Sequence, residues 1–285
     1  MRSFLSTVSA LLIVLVAVLT PLSALAVWVD QEIGDTDNYV ATMEPLASDP
    51  RVQNAVAVRI SDEVRKRTDA GPFQEGVQSL VREAVLSFAG TAAFKGVWNT
   101  VNRAAHTAVE DALAEGGDSA VSIDLAPVTQ RVKQQLSDEG VPFVDQIPVE
   151  HTRITILESG KLGTVRDVFH VLGIVGLWLP VATALIAAAG VLLAVRRVRA
   201  LVGLGLALAG GAVLLGVAVG VWRGVCLDDL PPDVDRPAAG AVYDALTATL
   251  RTTAWWVLAA GLALALAAWL VDRRRTRVAR AARVT

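Results

Sequence analysis

Between Val171 and Val195, and again between Leu201 and Val221, the chain holds no Asp, Glu, Lys, Arg or His. A hydrocarbon core takes about 20 residues of helix, so each run is long enough to cross one. The two runs meet at Arg196-Arg197-Val198-Arg199, a short basic turn of the kind that stays at a membrane surface. Inside lipid every backbone polar group must be bonded within its own helix or a closed barrel. The chain is therefore read as an integral membrane protein, mainly α, built on a helical transmembrane bundle.

Two further runs complete that bundle. Residues 4–29 follow Met1-Arg2 and form transmembrane helix 1, a signal anchor, or else a signal peptide cleaved after Ala26. The small-x-small site Ala24-Leu25-Ala26 and the helix breaker Pro21 speak for cleavage. Retention is the favoured reading, because the apolar run continues through Val27 and Val29 with Trp28 at the outer interface. Transmembrane helix 2 spans 168–195, entered from Leu162 and Val165 and kinked at Pro180. Helix 3 spans 201–222 and helix 4 spans 252–271. Trp28, Trp222, Trp255 and Trp256 mark one interface, and Trp269 the other. Gly203, Ala207 and Gly211 recur at four-residue spacing in helix 3, as do Gly216 and Gly220, and Gly261 with Ala265 repeats the device in helix 4. Small residues so spaced let helices approach, and packing within the bundle is preferred here to dimerisation.

Orientation follows from charge. Arg2, the three arginines of the Arg196 turn and the tail 272–285, which carries Arg273, Arg274 and Arg275 among its six arginines, together hold ten basic residues and one acidic one. The remainder holds 16 basic and 27 acidic residues. Short basic segments face the cytoplasm, so both termini are expected inside and residues 30–167 outside, in a multi-pass protein of the cell membrane. Arg196, Arg197, Arg199 and Arg273 to Arg275 are the topology anchors. The tail also attracts anionic headgroups of membrane lipid. Four Lys against 22 Arg, in an Ala- and Val-rich chain, is what a high-GC genome tends to encode.

The expected extracytoplasmic domain, 30–167, is a helix-dominated α+β unit. Asp35 caps a short helix that runs to about Ala47, and Asp49-Pro50 opens a second with a Val52, Val56, Ile60, Val64 stripe. A third is expected to turn Val77, Leu80, Val81, Ala84, Val85 and Phe88 inward, and a fourth Phe94, Trp98, Val101, Ala105, Val109 and Ala112. Alternation in Val121–Leu125 and Arg153–Ile156 predicts two short strands, with a helix from Pro127 to Gly140 between them as in a parallel crossover. The segment 223–251 is read as an external loop, with an amphipathic helix of Val242, Leu246 and Leu250 leading back to the membrane.

Catalytic chemistry finds little support. The three histidines, His106, His151 and His170, lie in different elements without metal-site spacing, and no GxSxG, phosphate loop or CxxC is present. Neither catalytic nor metal nor cofactor residues are assigned, and the chain is not expected to be an enzyme. The single cysteine, Cys226, excludes an intrachain disulfide. Apart from His170 at the edge of helix 2, no ionisable residue lies within a span, which argues against a transporter acting alone. The cytoplasmic parts are too small for a signalling domain, so a protein partner in the membrane or envelope is implied, and nucleic acid is not.

Trp28 to Gln53, reading WVDQEIGDTDNYVATMEPLASDPRVQ, resembles a family of uncharacterised actinobacterial integral membrane proteins. Trp98-Asn99, Asn102 to His106, the Val121–Leu125 strand and Leu179-Pro180 carry the same resemblance. It implies a first span, an external domain and three more spans, and no assigned activity. The expectation is thus a binding, sensing or envelope-scaffold component, with an accessory subunit of a transporter or export complex as the alternative.

Overall fold

The computed structural model describes residues 2–67, 71–114, 121–138, 140, 153–157, 176 and 178–281. It divides into a polar unit, Glu32–Phe169 with Cys226–Leu246, and a membrane unit, Met1–Gln31 with His170–Val225 and Thr247–Thr285. Three helices are long and apolar enough to cross a membrane, over Ser6–Glu32, Arg197–Asp228 and Ala248–Arg275. The protein is a mainly α, multi-pass membrane protein.

In the polar unit, Asp35 starts α2 (Thr36–Met43) by accepting the amides of Asp37 and Asn38, which a helix terminus leaves without partners. A 3₁₀ turn, Glu44–Ser48, with Pro45 in its first turn, carries the chain to α3 (Pro50–Arg67). Asp49 Oδ1 accepts the Arg51 amide at 2.8 Å, and the Arg51 guanidinium returns to Asp49 Oδ2 at 2.8 Å. The stripe of α3 is rotated from the expected one: Val52, Ala57 and Ser61 are buried, whereas Ile60 is exposed. Small side chains at 57 and 61 let α4 (Gln74–Ala89) pack closely there, and Ser61 satisfies its hydroxyl on the Ala57 carbonyl at 2.7 Å. On α4 itself Val77, Val81, Val85 and Phe88 are half-buried, but Leu80 is 68% exposed and Ala84 also faces out.

Helix α5 (Ala92–Ala114) begins at Thr91, whose hydroxyl both donates to the Phe88 carbonyl and accepts the Phe94 amide. Phe94 is buried and Trp98 half-buried as expected, while Val101 is exposed and Ala93 and His106 take the inward positions. Two polar ties fix this core. Gln53 donates to the carbonyls of Ala47 and Ala89, both at 2.9 Å, and Trp98 Nε1 donates to the Met43 carbonyl at 2.9 Å.

The two strands, β1 (Val121–Asp124) and β2 (Arg153–Leu157), are antiparallel, not the expected parallel pair. Helix α6 (Leu125–Asp138) starts at the residue after β1, leaving no loop in which the chain turns back onto a sheet as a crossover needs. Two strands this short make no sheet layer. Gly140, at φ 72°, occupies the left-handed region that suits a helix stop.

The segment 223–251 differs most from expectation. Helix α9 (Arg236–Leu246) ends before Thr247; Ala241 is buried with Met43, Leu46 and Val52 in the polar core. Leu250, expected on the same stripe, lies beyond the Thr247 break on α10 (Ala248–Ala281), where it packs with Leu215 and Ala254.

In the membrane unit, α1 (Arg2–Trp28) runs unbroken through Pro21 into a π-helical turn at Val29–Ile33. The described helical part of the second expected span is α7 (Trp178–Leu192). Residues 168–175 and 177 of that span lie outside the described residues. Helix α8 (Arg197–Asp228) extends past the expected end at 222 to include Cys226. Two backbone approaches set its packing. A Cβ built on Gly205 falls 2.5 Å from the Gly261 carbonyl oxygen on α10, and one on Gly211 falls 2.8 Å from the Ala17 carbonyl oxygen on α1. That second carbonyl is the one Pro21, lacking an N–H, leaves without its helical donor.

Candidate binding site

The polar unit carries a cavity of about 580 Å³ between α2, α5 and α6, lined by Asp37, Glu44, Asn99, Thr100, Arg103, Arg131 and Gln135 with Val40 and Ala41. Helical spacing brings these groups together. Asp37, Val40, Ala41 and Glu44 share one face of α2 and the turn after it, and Asn99, Thr100 and Arg103 share one face of α5. Arg103 donates to Asp37 Oδ1 at 2.6 Å, and Thr100 donates to Gln135 Oε1 at 2.8 Å. Arg131 is exposed. Asn99 Oδ1 is buried and accepts no hydrogen bond among the described residues. Such an acceptor costs about 1–3 kcal/mol. The cavity offers cationic groups, carboxylates and amides within one concave surface.

Next to it, His106 is buried under the Tyr39 ring, with centroids 4.3 Å apart. Burial pushes the Tyr39 phenol above its ordinary value. The Thr36 hydroxyl donates to Glu110 Oε2 at 2.5 Å, so its oxygen is left to accept from His106 Nδ1 at 3.0 Å, which places the imidazole proton on that nitrogen. One histidine and one carboxylate joined through a hydroxyl lock α2 onto α5, and His106 is not part of the adjoining cavity's wall. His151 and His170 lie outside the described residues. No group of three potential metal ligands occurs among the described residues.

In the membrane unit the residues singled out from sequence separate. Arg196 and Arg197 are exposed, Arg199 Nε stands 3.8 Å from Asp272, and Arg273 lies 5.0 Å from the Trp269 ring. Arg274 and Arg275 are exposed. Trp222, Trp255, Trp256 and Trp269 are all exposed, as interfacial rings are, but Trp28 is half-buried against the Leu215, Leu250, Ala254 cluster. Among the glycines, Gly211 is in close approach and Gly203 in ordinary contact with Ile13; among the described residues, a Cβ at Gly216 or Gly220 meets nothing within 4 Å. Sequence reading passed over Gly205, whose spacing pattern is no different from that of its neighbours.

A second cavity, of about 460 Å³, lies between α1, α7, α8 and α10. Its walls are mostly apolar, including Val16, Ala187, Leu208 and Val257, with Thr20, Ser23, Thr183 and Thr253 among them. Thr20 donates to the Val16 carbonyl and Thr183 to the Leu179 carbonyl, both at 2.7 Å, and Ser23 lies 2.9 Å from Thr183.

Comparison of the chain with known protein families, with curated proteins and with solved structures finds no match.

Proposed function

We propose that this is a four-span protein of the cell membrane whose polar unit lies outside and acts as a binding, sensing or scaffold domain. The observation that carries the binding reading is the Arg103 cavity, where Asp37, Glu44, Arg103 and Arg131 line one concave surface. Charges of both signs beside a hydrogen-bond acceptor suit a polar, zwitterionic ligand or a charged loop of a partner. The domain keeps its helix-dominated α+β assignment as part of this proposal, as does membership of the actinobacterial family that the Trp28–Gln53 segment resembles.

Four spans are supported by the composition of the polar unit. Residues 32–169 and 226–246 share one core, through Met43, Val52 and Ala241, and a single compact body occupies one compartment. The stretch between them then crosses an even number of times, so α8 needs a companion crossing, for which α7 is the apolar candidate. The basic Arg196 turn between them supports placing that turn in the cytoplasm.

Cys226, half-buried and the chain's single cysteine, gives a direct test of orientation. A membrane-impermeant maleimide is expected to label it in intact cells, while Thr276→Cys in a Cys226→Ser background is labelled only after permeabilisation. The reverse pattern overturns the orientation. Crosslinking in intact membranes is expected to place partners on residues 30–167, and Arg103→Glu with Arg131→Glu to remove them. The accessory-subunit reading draws on Gly216 and Gly220, whose open surroundings leave room for a foreign helix; crosslinks confined to that face would favour it.

A further inference from the structure

We propose that the cavity between α1, α7, α8 and α10 holds one acyl chain of a membrane phospholipid, with its head at Gln31 and Thr249. The lining runs along α1 from Val16, which is fully buried, to Gln31, which is exposed like Thr249. At 1.5 Å per residue that is about 20 Å. Its shape decides the occupant. The 460 Å³ is the space open to the centres of water-sized spheres, so over that length it leaves about 8 Å between wall surfaces, narrower than the about 10–12 Å of a helix with its side chains and wide enough for an acyl chain.

The hydroxyls do not make the cavity polar. Thr20 and Thr183 donate to carbonyls of their own helices, and since Thr183 spends its proton on Leu179, Ser23 donates to the Thr183 oxygen. These three donors are satisfied inside the bundle, so water or an ion gains little there, while apolar wall matches apolar chain. Polar character is concentrated at the Gln31 end, beside Trp28, where an ester and phosphate would lie. The proposal is independent of the reading of the polar unit.

The test uses the full chain, extracted from membranes in mild detergent and weighed by native mass spectrometry. One phospholipid is expected to stay with each chain through purification. Ala187→Phe, which fills the cavity from α7, and Ala184→Phe, at its margin, are each expected to lower retention at least fivefold. Unchanged retention in both folded variants overturns the proposal, as does recovery of an isoprenoid lipid or no lipid with the native chain. Photolabelling keeps the idea testable if neither variant folds. Phospholipid with a diazirine in its acyl chain is expected to mark Val16, Ala187 and Leu208 several-fold over the outward residues Leu185, Leu206 and Leu262. Equal marking of the two sets overturns it.

Discussion

Large exposed leucines are concentrated in the membrane half of the protein. In the polar unit Leu46 and Leu136 are buried beneath helices whose outer faces carry charge, whereas in the membrane unit Leu185, Leu206 and Leu262 are each at least half exposed. Only about a fifth to a third of each candidate span is covered by the rest of the chain. Lipid is as apolar as leucine, so the membrane helices gain nothing by hiding it and associate through close backbone approach instead. Water makes the opposite demand. One half is therefore held by glycines at which nothing else fits, the other by apolar burial and by polar side chains that tie helices together.

The contrast is broken most directly at Gly205. A Cβ there stands 2.5 Å from the Gly261 carbonyl oxygen and 2.6 Å from the Ala265 nitrogen, both backbone atoms that cannot swing aside. Gly205→Leu is expected to separate α8 from α10 and to cost at least about 3 kcal/mol, the upper end of what overpacking costs, because the clash is with backbone. Unfolding of the purified protein in SDS checks it, with the membrane helices losing structure well below the native midpoint. A native midpoint would mean that the bundle does not depend on this approach.

The counterpart in the polar unit is Gln53. Its amide bridges the carbonyls of Ala47 and Ala89, whose residues are fully buried, so removing it strands two acceptors. Gln53→Ala is expected to cost about 1–3 kcal/mol, read as faster amide hydrogen exchange in α3 and α4 with the membrane helices unchanged. Exchange that rises in both units alike would deny that they are stabilised separately.

How much of this was legible depended on which solvent set the rule. The three long spans stand out because lipid tolerates no charge over 20 residues, and the start of α2 is written in Asp35 because the amides of Asp37 and Asn38 need an acceptor. Packing partners were not legible. The expected Val52, Val56, Ile60, Val64 stripe follows hydrophobicity alone, but α3 turns Ala57 and Ser61 inward because smallness admits α4 there. The membership of α9 in the polar core was hidden for a related reason: Ala241 is too small to mark a core position, and Leu250, which continues the apparent stripe, lies past the break at Thr247. The Arg103 cavity was equally hidden, since Glu44, Asn99 and Arg131 are scattered in sequence and look like any solvated face until α2, α5 and α6 meet.

Asp49, in a charge pair of the polar half, sharpens the comparison at smaller scale. The hydrogen bond from the Arg51 side chain, followed by the amides of Arg51 and Val52, holds its carboxyl below the ordinary value of 3.8 against the opposing effect of burial. A group whose folded value is depressed stabilises the folded state above its unfolded value, and that contribution disappears as pH falls through the folded value. Asp49→Ala is therefore expected to lose about 1 kcal/mol at neutral pH, mostly the helix cap, with the deficit relative to the native chain shrinking below about pH 4. Asp49→Asn keeps an acceptor for the Arg51 amide and should lose less, with a flatter dependence on pH.

The smallest expected effect lies on the open face of α8. A Cβ at Gly216 or Gly220 meets no atom of the described residues within 4 Å, although by spacing these two are indistinguishable from Gly211, which sits against the Ala17 carbonyl. Gly216→Leu with Gly220→Leu is thus expected to shift the SDS midpoint by no more than about 0.5 kcal/mol, and to raise rather than lower helix propensity. The same pair of changes discriminates between the two functional readings. If partners bind the polar unit, their crosslinks survive the double variant intact, because nothing on α8 is involved. If the chain serves as a subunit packed through that face, the added side chains hold the foreign helix off, and crosslinks in native membranes are lost while the isolated protein remains as stable as before.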